Sequence, residues 1–582
     1  MSPSIPLALG VVAVLSFGIY LQQRFKQRKK RLTLLAKLRA EWGGPASSDR
    51  DLPLLASYHR AVSAGGAEAI DDRTWQDLDL DAVFGFLDRT GSIVGRQLLY
   101  HRLRSTTHSP ESLAGFDRLV ETFRRDETAR LDVQVTLRAL AGNSVYWLWS
   151  LALEPIDPLP RWAVIYPAFA LLMAWLIVLT VAFQGPFLVL AVFGLVVGGA
   201  LRAWFGRRLV PLMEPFRDMV RLIGVAERLG HMEHLPAGVR RQLLEPLPAL
   251  ARLRRSAGWL GRAPSANGDL GSLAIEYLNL VFCLDANAAI VGVRELRGHQ
   301  ADVHRIFQAV GEVDSALSIA SVRDGASAAA DRAAWTRPVF TEDGQPVVLE
   351  DLRHPLIESA VPNSVTLGPP AGLLVTGANM TGKSTFLRTV GVNAVLAQTI
   401  NTAFASAWRA PWLSVASCIT PSDDLQAGKS YYQAEVETLV AMLAGTPSRG
   451  TRLYLFDELF RGTNTLDRIG AASAVLDWLI AGRDTTQISA KTEVARGLST
   501  VSLVIAATHD LELVTLLPGY AVVHFGDRLT ADGLQFDYKL RPGPTTTRNA
   551  IALLGVLGAP PELVTEALER AERLRARPAG PI

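Results

Sequence analysis

The sequence predicts an α/β domain joined to an all-α part, with about three transmembrane helices. Three observations carry this. Two long charge-free blocks interrupt an otherwise ordinary chain. Before about residue 322, apolar positions recur at helical spacing. Beyond residue 347, short β-rich runs (373–376, 453–456, 501–506) alternate with helical patterns, as in a sheet of parallel strands. Composition agrees. The 582 residues are 49% hydrophobic and only 20% charged, against about 25% charged in ordinary soluble domains. That apolar content excludes disorder as the main state. Cys283 and Cys418 are the only two cysteines, so a disulfide scaffold is excluded and no CxxC pair exists. A net charge of +3 excludes a polycation built throughout for nucleic acid.

The elements follow in chain order. Residues 1–31 read as an anchor with a basic stop. Residues 1–23 carry no charge, and six of the eight residues 24–31 are basic. The apolar part, 5–21, is near the lower length of a membrane span. A cleaved signal peptide carries its positive charge before the apolar stretch. Here the order is reversed, so the anchor is uncleaved, with the N-terminus outside and Arg24 onward in the cytoplasm. Residues 32–160 read as helical. Residues 161–208 read as a transmembrane hairpin, because 162–201 is forty residues without a charge, twice what one span needs. Gln184-Gly185-Pro186 breaks it into spans at about 162–183 and 187–204. Arg161 before it and Arg202, Arg207 and Arg208 after it put both flanks in the cytoplasm. The expected location is therefore the cytoplasmic membrane, multi-pass, with the soluble domains in the cytoplasm. Gly194 and Gly198, four apart, are either a helix-packing face or small-residue composition. Residues 209–322 are helical again, 323–346 form an Ala/Asp/Gly/Pro-rich linker, and 347–582 form the α/β domain.

That domain carries the chemistry. A strand ending at Thr376 runs into Gly377-Ala-Asn379-Met-Thr381-Gly382-Lys383-Ser384-Thr385. This is the phosphate-loop pattern G-x-x-x-x-G-K-[ST], in its context of strand before and helix after. Glycines let backbone N–H groups close on phosphate oxygens, and the helix N-terminus adds a favourable field. Lys383 is expected on the β and γ phosphates of ATP, and the Ser384 hydroxyl on Mg²⁺. A second apolar strand ends in Asp457-Glu458. Asp457 is expected to hold Mg²⁺, and Glu458 to orient and polarise the attacking water. A third ends in Thr508-His509-Asp510, which puts His509 at the ligand edge of the sheet, where it can sense the γ-phosphate or the water.

These residues resemble the MutS family of ABC-type ATPases. The Asn-Met inside the loop, Arg461-Gly-Thr463 after the acidic pair and Ala507-Thr-His-Asp510 are more specific than a generic phosphate loop. Arg353-His-Pro355 and Val361-Pro-Asn363 resemble the entry to that ATPase domain. Ala397-Gln398 resembles its glutamine loop, and Asp423 to Ser430, continuing to Glu435, its signature segment. The resemblance implies ATP bound between two subunits of a dimer, with Ser430 acting on the other subunit's γ-phosphate. Upstream, Phe86 to Leu99 and Glu312 to Ser318 are similar to the two ends of the family's helical core and lever domain.

Departures from the family set the functional expectation. Too few residues precede the lever motif for the family's mismatch-reading and connector domains, and no nuclease domain is expected after the ATPase. Thr381 stands where the family has glycine. No aromatic for adenine stacking is evident near Val361. The expected function is a membrane-anchored ATPase that hydrolyses ATP at a dimer interface to move its helical levers. The alternatives are a DNA-binding homologue and an ABC-type transporter. The six basic residues of 24–31 exceed the whole-chain +3, leaving about −3 for the rest. That argues against a large DNA surface and for contact with anionic lipid. Mismatch-specific recognition is not expected.

Overall fold

Helical periodicity before residue 328 and strand–helix alternation after it are both realised. The computed structural model describes residues 22, 24–26, 28–46, 50–63, 69–105, 109–183, 187–260, 270–328, 335–368, 371–378, 380–419, 431–444, 451–481, 502–530, 533–545, 551, 554, 556 and 558–576. The chain divides into two compact units. The first comprises residues 1–66, 88–101 and 116–325, the second 67–87, 102–115 and 326–582. Residues 67–87 and 102–115, read in the sequence with the helical half, thus belong to the second unit.

The first unit is helical. Its hairpin consists of α1 (Ile165–Ala182) and α2 (Phe187–Gly230), followed by α3 (Leu270–Phe282) and α4 (Leu284–Ala328). The predicted span over 5–21 and the turn at 184–186 lie outside the described residues. Among the described residues, one helix, Arg161–Ala182, is long and apolar enough to cross a membrane. The apolar start of α2 is shorter, Val192–Leu201. The predicted second span ends near 204, but its helix continues unbroken to Gly230. Leu171, Trp175, Val178, Val181, Val192 and Val196 are exposed on the hairpin, and exposed apolar clusters of this kind mark a partner or a membrane. Gly194 and Gly198 do form a packing face, and it is filled from within the chain. A Cβ at Gly198 would stand 1.8 Å from the Leu280 carbonyl oxygen on α3, and one at Gly194 2.7 Å from Met173 Cε on α1.

Deeper in this unit, Asp314 on α4 accepts hydrogen bonds from Gly91 N (2.8 Å), Ser92 N (2.8 Å) and Ser92 Oγ (2.5 Å). It thereby holds Ser92, whose hydroxyl caps the helix Ile93–Arg104 by accepting from Gly95 N at 3.0 Å. The two upstream motifs therefore meet in space. α4 runs to Ala328, so the first part of the predicted linker is helical, and β1 (Val339–Phe340) lies in its last part.

The second unit contains two sheets. The smaller pairs β1, β5 (Ala407–Ala410), β2 (Val347–Leu352) and β3 (Asn363–Leu367) in that order. The larger has six strands in the order β10, β9, β4, β8, β7, β6. These are β4 (Ala371–Thr376), β6 (Leu413–Cys418), β7 (Thr451–Asp457), β8 (Ser502–Thr508), β9 (Tyr520–Thr530) and β10 (Gly533–Pro542). All neighbours are parallel except β9 and β10. β8 is buried at every position, as a central strand covered on both faces must be. α5 (Lys383–Ile400), α6 (Tyr431–Ala444) and α7 (Thr465–Ile480) pack on this sheet.

Candidate functional site

Strand register builds the site. Thr376 pairs with Thr508, and Asp457 with Ala507. So β4, β8 and β7 end level, and the loops after them open on the carboxyl edge where open α/β sheets bind ligands. After β4 the chain turns through Gly377 at φ 146° and Gly382 at φ 109°, conformations that glycine alone adopts freely. A Cβ at Gly377 would also stand 2.9 Å from the Phe525 carbonyl oxygen. Thr381 replaces the family's glycine without strain. It is buried, and its hydroxyl donates to the Ala378 carbonyl at 2.8 Å.

Lys383 opens α5 and is buried. Its Nζ donates to the carbonyls of Gly377 (2.8 Å) and Ala378 (2.9 Å). Burial pulls its pKa down, while Glu458 and Asp457 push it up. The Ser384 hydroxyl donates to Asp457 Oδ2, and burial raises the Asp457 carboxyl against that bond. These two adjacent oxygens are the hard donors Mg²⁺ takes, with waters and phosphates completing its shell.

Glu458 sits at φ 54°, a left-handed turn costing on the order of 1 kcal/mol or more for a non-glycine residue. Its N–H donates to the Ala507 carbonyl at 2.9 Å. His509 Nδ1 stands 3.3 Å from Oε1, and Arg461 Nε donates to Oε2 at 2.7 Å. The His509 bond, aided by Arg461 against burial, holds the Glu458 carboxyl at about 2. The same bond raises His509. Glu458 is thus ionised at neutral pH and held by two donors. His509 acts on Glu458 itself, a closer role than sensing phosphate.

Two features went unread in the sequence, the role of Glu435 at the end of the signature segment being the first. Glu435 on α6 accepts the Phe460 N–H at 2.5 Å and so seats the turn that carries Glu458. The second is a cavity of about 380 Å³ beside Gly382, Thr385 and Thr389, walled by His354, Val361 and Tyr538. An aromatic does stand near Val361, Tyr538, delivered by β10. Asn363 fixes that strand by donating to the Tyr538 carbonyl at 3.0 Å and accepting from Leu540 N at 2.7 Å. Gln398 does not join the site. Fifteen residues of helix put it about 22 Å from Lys383, and its side-chain amide bonds both backbone groups of Leu413. Asn379 and Ser430 lie outside the described residues.

A mostly parallel sheet with a glycine loop, a buried lysine and a paired acid at its carboxyl edge defines a phosphate-loop nucleotide-binding domain. The family description "MutS domain V" matches residues 373–575. The DNA mismatch repair protein MutS of a Synechococcus strain is 32% identical over 302 residues, 49% of this chain and 30% of that protein. That of Thermus aquaticus is 31% identical over 294 residues, 50% of this chain and 32% of the relative. DNA mismatch repair protein MutS 2 of Halobacterium salinarum is 32% identical over 291 residues, 48% and 30% respectively. The matched region spans only about a third of these relatives' length. Over this part of its length the chain is similar to the MutS family.

Proposed function

We propose that this chain is a membrane-anchored, Mg²⁺-dependent ATPase that works as a homodimer and uses ATP turnover to move its helical unit. The observation that carries the reading is the convergence of Lys383, Ser384, Asp457, Glu458 and His509 at one sheet edge. Lys383, resting on loop carbonyls, can exchange them for phosphate oxygens. Ser384 and Asp457 would hold Mg²⁺, which supplies neutralisation of phosphate charge when bound. Glu458, kept ionised by His509 and Arg461, accepts a hydrogen bond from the attacking water and so aims its lone pair. Thr385, Val361 and Tyr538 shape the space for the base. The purified Glu458→Gln variant should retain ATP binding while phosphate release falls about 100-fold or more. Unchanged turnover would remove Glu458 from this role.

Helix Arg161–Ala182 and the exposed apolar residues of the hairpin support the membrane part of the reading. The chain should stay with the membrane pellet after alkaline carbonate washing, and release into the supernatant would overturn that part. The relatives' name favours a second reading, in which the chain binds duplex or branched DNA. Steeply salt-dependent DNA binding that survives deletion of residues 1–31 would establish it.

A further inference from the structure

We propose that α3 and the first turns of α4 form a third membrane-contacting element, a wedge seated in the cytoplasmic leaflet beside the α1–α2 hairpin. The inference rests on the membrane reading of that hairpin. The sequence shows no span here, because α3 has only 13 residues, about 20 Å of helix against the roughly 30 Å of a bilayer core. Residues 277–293 nevertheless contain one charged side chain, Asp285, and Arg294 and Arg297 follow them.

Three observations converge. The first is the elbow. Glu276–Phe282 and Leu284–Ser327 meet at 68°, with Cys283 between them at φ 47°. A broken helix strands backbone groups, and in a bilayer these must find partners within the protein. Here they do. Asp285 N donates to Asn279 Oδ1 at 2.9 Å, and Asn287 Nδ2 donates to the carbonyls of Phe282 (3.0 Å) and Cys283 (3.1 Å).

The second is depth. Val281 lies against Gly194, and the Cys283 thiol is 3.8 Å from the Gly198 carbonyl. Asn287 also reaches the Tyr166 carbonyl at 3.4 Å. Tyr166 and Gly198 each sit within about a turn and a half of the hairpin's arginine-marked ends, Arg161 and Arg202. The elbow therefore lies level with the cytoplasmic end of the hairpin.

The third is the outer surface. Leu278 is 44% exposed and Val291 45%; Leu278 stands on α3, which packs on both hairpin helices, and Val291 one turn past Asn287, which reaches α1. One lipid phase can cover these residues together with the exposed apolar residues of the hairpin. Asp285 at the elbow is affordable at headgroup depth and expensive at the bilayer centre, which again places the wedge in one leaflet.

The test uses the full chain in phosphatidylcholine–phosphatidylglycerol vesicles. Single cysteines carrying a nitroxide are placed at Leu278, Val291, Val178 on α1 and Gln242 on a solvated helix. The unsubstituted protein, with both cysteines buried, sets the background. Collision with oxygen reports lipid, and collision with a water-soluble nickel complex reports water. Leu278→Cys and Val291→Cys should favour oxygen several-fold, at a shallower depth than Val178→Cys. If they match Gln242→Cys while Val178→Cys reads lipid, the wedge is overturned and the hairpin reading stands. If both reagents are excluded and the spectra broaden by spin–spin coupling, a second copy covers the face and the lipid assignment is overturned. If Val178→Cys itself reads water, the membrane reading falls and takes the wedge with it.

Discussion

Two buried carboxyl groups in this chain are driven in opposite directions. Glu458 faces a histidine and an arginine and is held at about 2. Asp314 has neutral N–H and O–H donors and full burial, and burial wins, pushing it up to about 6. A carboxyl raised above its unfolded value of about 4 favours the folded state when protonated. That contribution is complete below about pH 4 and is lost as pH rises through about 6. Stability should therefore increase when pH is lowered from about 7 to about 5, by about 1 kcal/mol. Asp314→Asn should flatten this part of the profile in urea titrations. The phosphate loop and Asp457-Glu458 were legible at this scale because each is a local string with its own chemistry. Tyr538 and the role of Glu435 were not, since only the pairing of β10 and the packing of α6 bring them to the site.

At the scale of elements, the contact between Gly91–Ser92 and Asp314 fixes one helix on another with almost no clearance. A Cβ at Gly95 would stand 2.2 Å from Asp314 Oδ2. Gly95→Ala should lower the urea midpoint, at an overpacking cost of about 1–3 kcal/mol. An unshifted midpoint would mean that α4 moves away freely. The upstream motifs could be paired in sequence, yet the reason for the pairing, a carboxylate 222 residues away that braces the capping Ser92, is tertiary. The arginines at 202, 207 and 208 mark where an apolar run stops. They say nothing of where a helix stops, because arginine is a good helix former, and α2 continues past all three.

For the whole molecule, the proposed dimer makes a sharp demand. If Ser430 serves the partner's nucleotide, Lys383→Ala and Ser430→Ala should each be inactive alone. Mixed in equal amounts and allowed to exchange, they should recover about a quarter of the activity, since random pairing in a two-fold dimer leaves that share of sites intact. No recovery would place both residues in one subunit's site. The domain boundaries also follow three dimensions more than sequence. Asp77 accepts from Ser417 Oγ and Ile419 N, both at 2.9 Å, and Ser417 N donates to the Thr74 hydroxyl at 3.2 Å. A Cβ on Gly391 would stand 2.6 Å from Leu78. A fragment of residues 347–582 alone should therefore aggregate or melt early, and adding residues 67–115 in trans should raise its melting temperature. A fragment as stable without them would show that these contacts contribute little.

That discontinuity also bears on biosynthesis. Asp77 and its partners Ser417 and Ile419 are 340 and 342 residues apart, which at about 5–20 residues per second separates their synthesis by roughly 20 to 70 seconds. The six-residue helix Asp72–Asp77 is too short to persist alone in water. It must wait unfolded on the nascent chain until β6 is made, and the apolar hairpin leaves the ribosome during that wait. The apolar hairpin is therefore fully synthesised before the nucleotide-binding unit can close, and on the proposed reading it can reach a membrane before any nucleotide can bind.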